Sequence, residues 1–386
     1  IKNTNAMNKK ATELLKQYGF ERIKAADMID SYNFEDRKLV EIVKATYFNP
    51  KIVVIDETTT ALSQEGREEL YKHMERIRKS GNTVIFISHD LPEIIEKSDT
   101  ITILRDGVYI DTVKSKDVNE NDLKKLMVGR EVTGDYYRSD YGEKVSDEVV
   151  LSVKDVTVPG LIENVSFDLH KGEILGFGGL SESGMHEIGK AIFGASYDRE
   201  GTVELADGTQ INDIPTAIKH SIAYTSKDRD NESVVLNQSI GDNICLPSLD
   251  ELSGPAHLIS DKKKKDFANK FAKQMSVKMV DVNQFVSNLS GGNKQKVVLA
   301  RWIGKDSDIV VLDSPTRGID IKVKQDIYQL MNQMRKNGKS IIMISEELME
   351  LIGMCDRIII MKDGKISGEL ERDQNLDENG LITMMV

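Results

Sequence analysis

The sequence predicts an α/β protein with two tandem domains, each built on a parallel β-sheet, of which the first is incomplete. Its 386 residues are more than one hydrophobic core usually organises. Short aliphatic runs alternate with helical patterns, and the second half of the chain repeats the first. A content of 39% hydrophobic and 30% charged residues is typical of globular proteins and excludes a disordered or fibrous chain.

The domains are defined by a repeat with a constant spacing. Three segments of the first half return in the second half at an offset of 257 positions, as Asp56 returns at Asp313. The matching pairs are Ile52–Asp56 with Ile309–Asp313, Ile85–Ser88 with Ile342–Ser345, and Arg105–Gly107 with Lys362–Gly364. Chance could produce one such match, but three in one register indicate duplicated domains. We predict a first domain at residues 1–128, a linker at 129–148 and a second domain at 149–386.

The repeat also predicts that the first domain lacks its beginning. The second domain starts near Val149, which lies 140 positions before Leu289. Tyr32, which matches Leu289 in the repeat, has only 31 residues before it. We therefore expect about 109 further residues of the first domain upstream of this chain.

The order of elements is the same in both domains. The aliphatic run Ile52–Ile55 predicts a strand buried on both faces of a parallel sheet. Leu70, Met74 and Ile77 share one face of the helix that follows, and residues 83–88 form the next strand. Because such crossovers are right-handed, the carboxyl ends of the strands meet at one edge, where a functional site is expected.

Candidate catalytic residues lie at this edge of the first domain. Asp56 and Glu57 directly follow the aliphatic strand, and His89 follows the next strand. The first carboxylate can hold Mg²⁺ (usually through water), and the second can polarise an attacking water. The histidine can contact a terminal phosphate. A surface loop and a structural histidine are the alternative, but the register of the two segments favours phosphate chemistry.

A glycine-rich segment precedes a helix in the second domain. In Leu289–Lys296, Ser290 can cap the helix, and Gly291 and Gly292 allow backbone N–H groups to approach an anion closely. An ordinary Ser-Gly-Gly turn explains the segment equally well when it is taken alone.

Taken together, these motifs resemble those of ATP-binding cassette (ABC) ATPases. Leu289–Asn293 resembles the family's signature, and its distance of 24 residues to Asp313 fits that family. Asp56–Glu57, Thr60–Leu62 and Ser88–Asp90 resemble the Walker B, D-loop and switch-histidine elements. The resemblance covers essentially the whole chain. It implies two tandem P-loop NTPase-like domains, each with a parallel-sheet core and a helical subdomain, and ATP and Mg²⁺ as ligands.

Within that family, the chain is similar to the double-cassette ATPases of ribose, xylose and galactose importers. Asp313–Asp320 resembles their second Walker B and D-loop, Met127–Glu131 their junction, and Leu169–Gly176 the opening of their second cassette. The resemblance implies an ATPase on the cytoplasmic face of a bacterial membrane. Its partners would be integral-membrane sugar permease subunits and, indirectly, an extracytoplasmic sugar-binding protein. Nucleic acid would not be a partner.

The phosphate-binding loop of the second domain is degenerate. Such a loop needs two glycines followed by Lys and Ser or Thr. Gly179 and Gly184 are present, but Met185 replaces the lysine and His186 the hydroxyl. Ser314 also stands in place of the catalytic glutamate, and Glu346 in place of the switch histidine. We therefore expect this domain not to hydrolyse ATP.

The first domain shows the reverse pattern, because it keeps its catalytic residues but has Tyr32–Asp36 where the signature should be. In this family each nucleotide lies between the Walker motifs of one domain and the signature of the other. The resemblance therefore implies one competent composite site and one degenerate site. The competent site would combine Asp56, Glu57 and His89 with Ser290, Gly291, Gly292, Asn293 and Asp320.

Composition limits the remaining possibilities. The net charge of −11 argues against a nucleic-acid binder held by phosphate contacts. The two cysteines, Cys245 and Cys355, have no metal-type spacing and indicate a reducing compartment, and no apolar run approaches the length of a membrane span. A soluble non-transport ABC ATPase and a truncated non-catalytic regulator remain as alternatives. Without the first phosphate-binding loop, we expect this chain to be a poor ATPase by itself.

Overall fold

A computed structural model describes residues 3–385 of the chain, apart from residues 33, 57, 60–61, 63, 89, 106–107, 129–135, 141–144, 181, 255–257, 320 and 374–375. The chain falls into two compact units, Ile1–Val132 and Thr133–Val386.

Unit 1 contains a parallel strand pair with helices, followed by a hairpin. Its elements are α1 (Thr4–Gln17), α2 (Phe34–Thr46), β1 (Ile52–Asp56), α3 (Gln64–Lys79), β2 (Thr83–Ile87), α4 (Leu91–Lys97), β3 (Thr100–Arg105), β4 (Val108–Lys114) and α5 (Glu120–Val128). The strands β1 and β2 pair in parallel, with Ile52 beside Thr83, and β3 pairs antiparallel with β4. The predicted strand–helix–strand order is confirmed.

Unit 2 opens on antiparallel strands and continues as an α/β domain. Its elements are β5 (Val149–Val158), β6 (Ile162–His170), β7 (Ile174–Gly179), α6 (Met185–Ile192), β8 (Glu200–Leu205), α7 (Ile214–Lys219), β9 (Ile222–Thr225), α8 (Ile240–Cys245), α9 (Leu249–Leu252), α10 (Asp261–Gln274), α11 (Gly291–Lys305), β10 (Ile309–Asp313), α12 (Ile321–Lys336), β11 (Ser340–Ile344), α13 (Leu348–Met354), β12 (Arg357–Lys362), β13 (Lys365–Glu371) and α14 (Glu378–Met385).

The core of unit 2 is a six-stranded sheet in the order β13-β12-β7-β11-β10-β9, in which every pair is parallel except β12 with β13. A second, antiparallel sheet has the order β6-β5-β8. Helix α6 packs against β10 and β11, and α8, α10 and α11 pack against one another. The parallel-sheet core with a helical group agrees with the predicted fold class.

The two units share a register but differ in how their strands are covered. Ile309 lies beside Ser340 in β10 and β11, 257 positions after Ile52 and Thr83. In unit 2, β11 also pairs with β7, and β10 with β9. Among the described residues of unit 1, β2 pairs only with β1.

The prediction that Ile52–Ile55 is buried on both faces is therefore wrong for this structure. Ile52, Val54, Ile85 and Ile87 are between 44% and 58% exposed, whereas the matching residues of β10 and β11 are at most 4% exposed. The difference arises because in unit 2 helix α6 packs on β10 and β11, and the further parallel strands β9 and β7 lie beside them. The described part of unit 1 offers no equivalent cover.

The segment predicted as a linker includes a buried part. Arg138 is 4% exposed and donates hydrogen bonds to Asp140, to Asp356 and to the carbonyl oxygen of Met354. The ring of Tyr137 lies so close to Gly353 that a Cβ atom there would be 2.3 Å from Cγ of the tyrosine. Residues 136–140 therefore belong to the packed structure of unit 2.

Candidate functional site

The carboxyl end of β10 brings a histidine and an aspartate together in unit 2. Asp313 is 1% exposed, and its Oδ1 lies 2.7 Å from Nδ1 of His186, at the start of α6. Tyr224 and Ser314 place their hydroxyl groups 3.4 Å and 3.3 Å from the same carboxylate. The carboxylate is thus surrounded by protein donors.

The second ring nitrogen of His186 lies next to a lysine–glutamate pair. Nζ of Lys227 lies 3.1 Å from Nε2 of His186 and donates to Oε1 of Glu346 at 2.7 Å. Nε2 of the histidine is also 3.5 Å from that glutamate oxygen. Burial lowers the pKa of His186, but Asp313 and Glu346 outweigh it, so the pKa is raised above its usual value. We call these four residues, 186, 227, 313 and 346, the unit 2 charge cluster.

Sequence reasoning missed Lys227. Its position was detectable in principle, because it follows β9, which pairs with β10 and so ends at the same sheet edge as Asp313. The sequence gives no register for that pairing, since 89 residues separate Tyr224 from Asp313.

The degenerate loop follows a backbone path that only glycine can adopt at residues 179 and 184. Gly184 has a φ of 90°, and a Cβ atom there would lie 2.7 Å from the carbonyl oxygen of Leu161. At Gly179 a Cβ atom would lie 2.2 Å from Oγ of Ser183, a buried hydroxyl with no partner among the described residues. Met185 is completely buried in the core. The loop therefore keeps its shape, but a buried thioether stands where a lysine ammonium would be needed.

The strand end of unit 1 differs from that of unit 2. Asp56 lies at the end of β1 with an exposed side chain. A carboxylate oxygen is the kind of ligand that Mg²⁺ prefers, so Asp56 fits that cation. Asp313, whose carboxylate already contacts the imidazole of His186, does not. Glu57, His89 and Asp320 lie outside the described residues.

Ser290 is at the predicted start of the helix, but its side chain makes no capping hydrogen bond. Ser290 occupies the N-cap position of α11, and its carbonyl oxygen accepts from the N–H of Lys294 at 2.9 Å. Its hydroxyl accepts instead from Nδ2 of Asn293 at 2.9 Å. The backbone N–H groups of Gly291 and Gly292 consequently have no side-chain cap and remain suited to an anion.

Three side chains of the first turns of α11 connect it to neighbouring segments. Oδ1 of Asn293 accepts from the backbone N–H of Lys278 at 2.8 Å. Lys294 donates to Asp230 at 2.7 Å, and Lys296 donates to Asp326 at 3.0 Å. These contacts fix the start of the helix relative to three segments of unit 2. A cavity of about 230 Å³ adjoins it, lined in part by Arg229, Gln295 and Arg317.

Several other kinds of site find no support within the part of the chain that the structure describes. No group of three metal-binding side chains occurs there. Cys245 and Cys355 are both buried and free. No described helix is both long enough and apolar enough to cross a membrane.

The fold is shared with solved nucleotide-binding cassettes. A dimeric bacterial ABC transporter cassette aligns with a TM-score of 0.51 and 22% identity over 58% of this chain and 99% of that structure. A nucleotide-free ATP-binding cassette from an ABC transporter gives a TM-score of 0.52 and 17% identity over 62% and 99%. At these identities the likeness concerns the fold alone.

Relatives found by sequence have higher identity to this chain than these solved structures. The ABC transporter family matches residues 162–317. The ribose import ATP-binding protein RbsA of Lactococcus lactis subsp. cremoris is 39% identical over 98% of this chain and 76% of its own length. RbsA of Clostridium tetani is 38% identical over 88% of this chain and 66% of its own length. The xylose import ATP-binding protein XylG of Thermoanaerobacter pseudethanolicus is 43% identical over 86% and 68%. The chain therefore belongs to the family of ABC transporter ATP-binding proteins.

Proposed function

We propose that the protein is the ATP-hydrolysing, energy-coupling subunit of an ABC importer for a simple sugar of the ribose, xylose and galactose class. The observation that carries this proposal is 39% identity over 98% of the chain to a ribose import ATP-binding protein. Relatives named for ribose and for xylose match comparably well, so the proposal extends to monosaccharides as a class and to no single sugar.

The proposal includes one competent composite nucleotide site, inferred from the sequence. Asp56, Glu57 and His89 would come from the first domain at residues 1–128. The signature residues Ser290, Gly291, Gly292 and Asn293, together with Asp320, would come from the second domain at residues 149–386. Mg²⁺, held by Asp56 through water, would neutralise phosphate charge when it is bound.

Each protein group in that site has a distinct task. The uncapped N–H groups at the start of α11 bind and orient phosphate oxygens, because a helix N-terminus carries partial positive charge. Glu57 accepts a proton from, or orients, the attacking water, and His89 contacts the terminal phosphate.

The second nucleotide position would be non-hydrolytic. The unit 2 charge cluster supports this, since the imidazole of His186 already occupies the carboxylate of Asp313 at the position where Mg²⁺ would be held. Ser314, in the position of the catalytic glutamate, has no group basic enough to accept a proton from water.

The partners in this proposal are integral-membrane permease subunits and, through them, an extracytoplasmic sugar-binding protein. The chain would lie on the cytoplasmic face of the bacterial membrane. Closing of the two domains on ATP and their reopening after hydrolysis would move the permease. Stable co-purification with a polytopic permease, and not with ribosomes or nucleic acid, would distinguish this role from that of a soluble ABC ATPase.

The test is an ATPase assay on the protein with the upstream segment predicted from the repeat included. Glu57→Gln and His89→Ala should each reduce turnover by about 100-fold or more, because each removes a group that handles the water or the terminal phosphate. Ser314→Ala and Glu346→Gln are the matched changes in the second domain and should leave turnover within about twofold. Comparable losses from both pairs would refute the assignment of one competent site.

A further inference from the structure

A buried carboxylate in unit 1 joins the segments that carry the two catalytic candidates. Glu93, on α4, is 6% exposed. Its Oε2 accepts from Oγ of Ser88 at 2.7 Å and from Oγ1 of Thr59 at 3.0 Å, and its Oε1 accepts from the hydroxyl of Tyr71 on α3. Thr59 lies two residues after Glu57, and Ser88 directly precedes His89. We call Glu93 and its three hydroxyl donors the unit 1 hub.

Unit 2 contains the same arrangement. Glu350 is 1% exposed and accepts from the hydroxyl groups of Ser345, Thr316 and Tyr328. Each of these residues lies 257 positions after its counterpart in the unit 1 hub. Of these four pairs, only Ser88 and Ser345 lie within the strand segments that repeat in the sequence. The structure thus shows that the repeat extends to a hydrogen-bond network.

The hydrogen bonds of the hub hold its segments rigidly together. A buried carboxylate is costly unless its lone pairs are hydrogen-bonded, and Glu93 has three hydroxyl donors from three elements. Burial and the nearby Glu93 carboxylate raise the pKa of Tyr71, which keeps its hydroxyl protonated as a donor. The local turn is held as well, since Ser88 accepts from the N–H of Asp90, and Asp90 accepts from the N–H of Glu93. The ends of β1 and β2 are therefore connected by side chains as well as by backbone.

We propose that Glu93 is a positioning residue for ATP hydrolysis, which fixes the segments of Glu57 and His89 relative to one another. This inference rests on the proposed function. Glu93 acts through Thr59 and Ser88, and it needs no contact with the nucleotide. A loss of this connection leaves nucleotide binding to other groups and affects the chemical step, because small displacements of catalytic groups cost about 10²-fold in rate.

The experiment compares matched variants of the two hubs in the protein with the upstream segment included. Glu93→Met removes the acceptor at similar volume, and Glu350→Met is its counterpart in unit 2. Glu93→Met should lower kcat by about tenfold or more, with KM for ATP unchanged within about threefold. Glu350→Met should lower the melting temperature by a similar amount and leave kcat within about twofold. Glu93→Gln, which keeps one acceptor oxygen, should restore part of kcat.

A second pair of variants tests the positioning role if Glu93→Met does not fold. Ser88→Ala removes only the bond from the hub to the histidine segment, and Ser345→Ala is its counterpart. Ser88→Ala should lower kcat by about threefold or more at constant KM, and Ser345→Ala should not lower it.

The possible results separate the two proposals. Equal loss of kcat in both members of a pair, or unchanged kcat in Glu93→Met and Ser88→Ala, would overturn the positioning role. Glu57→Gln and His89→Ala are measured in parallel. Retained turnover in these two variants would instead refute the proposed function itself.

Discussion

The side chain of His186 shows how one substitution changes the chemistry of a loop. A hydroxyl at this position is small and leaves room for a cation, whereas the imidazole reaches Asp313 directly at 2.7 Å. Lys227 and Glu346 then complete a group of two acids and two bases. His186 and Asp313 are buried, and buried charged groups are costly without partners, so these two side chains stabilise each other, while Lys227 and Glu346 pair at the more exposed end of the cluster.

This cluster should make the stability of unit 2 depend on pH. The folded-state pKa of His186 is raised above its usual value of 6.5, so the protonated form is favoured by folding. The resulting stabilisation is fully present below pH 6.5 and is lost as the pH rises through the higher folded-state pKa. We expect the melting temperature of unit 2 to fall across that interval, measured by calorimetry in buffers of constant ionic strength.

The control for this pH effect is His186→Asn, which keeps a hydrogen-bond donor but has no titratable group. The fall in melting temperature above pH 6.5 should be absent or much smaller in this variant. An unchanged slope would show that another group is responsible.

At the scale of elements, residues 136–140 act as a strap on unit 2. Arg138 and Arg335 share Asp140 and Asp356, so that two guanidinium groups and two carboxylates are bonded in one network. Arg372 donates to the carbonyl oxygens of Arg138 and Gly353. The strap is thereby connected to the ends of α12 and α13 and the start of β12.

Removal of Arg138 should strongly destabilise unit 2. Arg138→Met keeps the length of the side chain but removes one of the two guanidinium groups that pair with Asp140 and Asp356. We expect the free energy of unfolding to fall by about 3 kcal/mol, since a buried ion pair that loses one partner leaves uncompensated charge. Urea denaturation followed by circular dichroism measures this change.

An exposed ion pair provides the comparison. Lys171 donates to Glu148 at 2.9 Å, and both side chains are more than half exposed. Lys171→Met should change the free energy of unfolding by no more than about 0.5 kcal/mol. If Arg138→Met and Lys171→Met had the same free energy of unfolding, the strap would contribute little to the stability of unit 2.

How much could be predicted from the sequence depended on whether a feature is local. The strands at 52–56 and 309–313 were predictable because an aliphatic run of strand length is a local signal. The pairing of His186 with Lys227 was not, since 41 residues separate them and only the sheet brings them together. The sequence predicts the N-cap position of Ser290, but not that its hydroxyl accepts from Asn293, one turn later, in place of a backbone N–H. The exposure of Val54 could not be predicted, because it depends on which other elements pack against the strand and not on the pattern of the strand itself.

At the scale of the whole molecule, the two units contain the same strand pair in different surroundings. Val311 in β10 is fully buried, whereas Val54, its counterpart in β1, is 58% exposed. Apolar burial contributes about 25 cal/mol per Å², so β1 and β2 lack a large part of the stabilisation that β10 and β11 receive. The units should accordingly differ in local stability.

Hydrogen exchange followed by mass spectrometry measures this difference. Amides of β1 and β2 should exchange at least about tenfold faster than the matching amides of β10 and β11. Equal protection of the two strand pairs in the present chain would contradict this expectation.

The charge cluster also bears on what happens when a cell runs short of energy. Most nucleotide-binding domains gain folding stability from their ligand by mass action and lose it when that ligand is depleted. In unit 2, the imidazole of His186 and the ammonium of Lys227 provide partners for Asp313 and Glu346 from within the polypeptide. The folding stability of unit 2 should therefore depend little on the concentration of nucleotide.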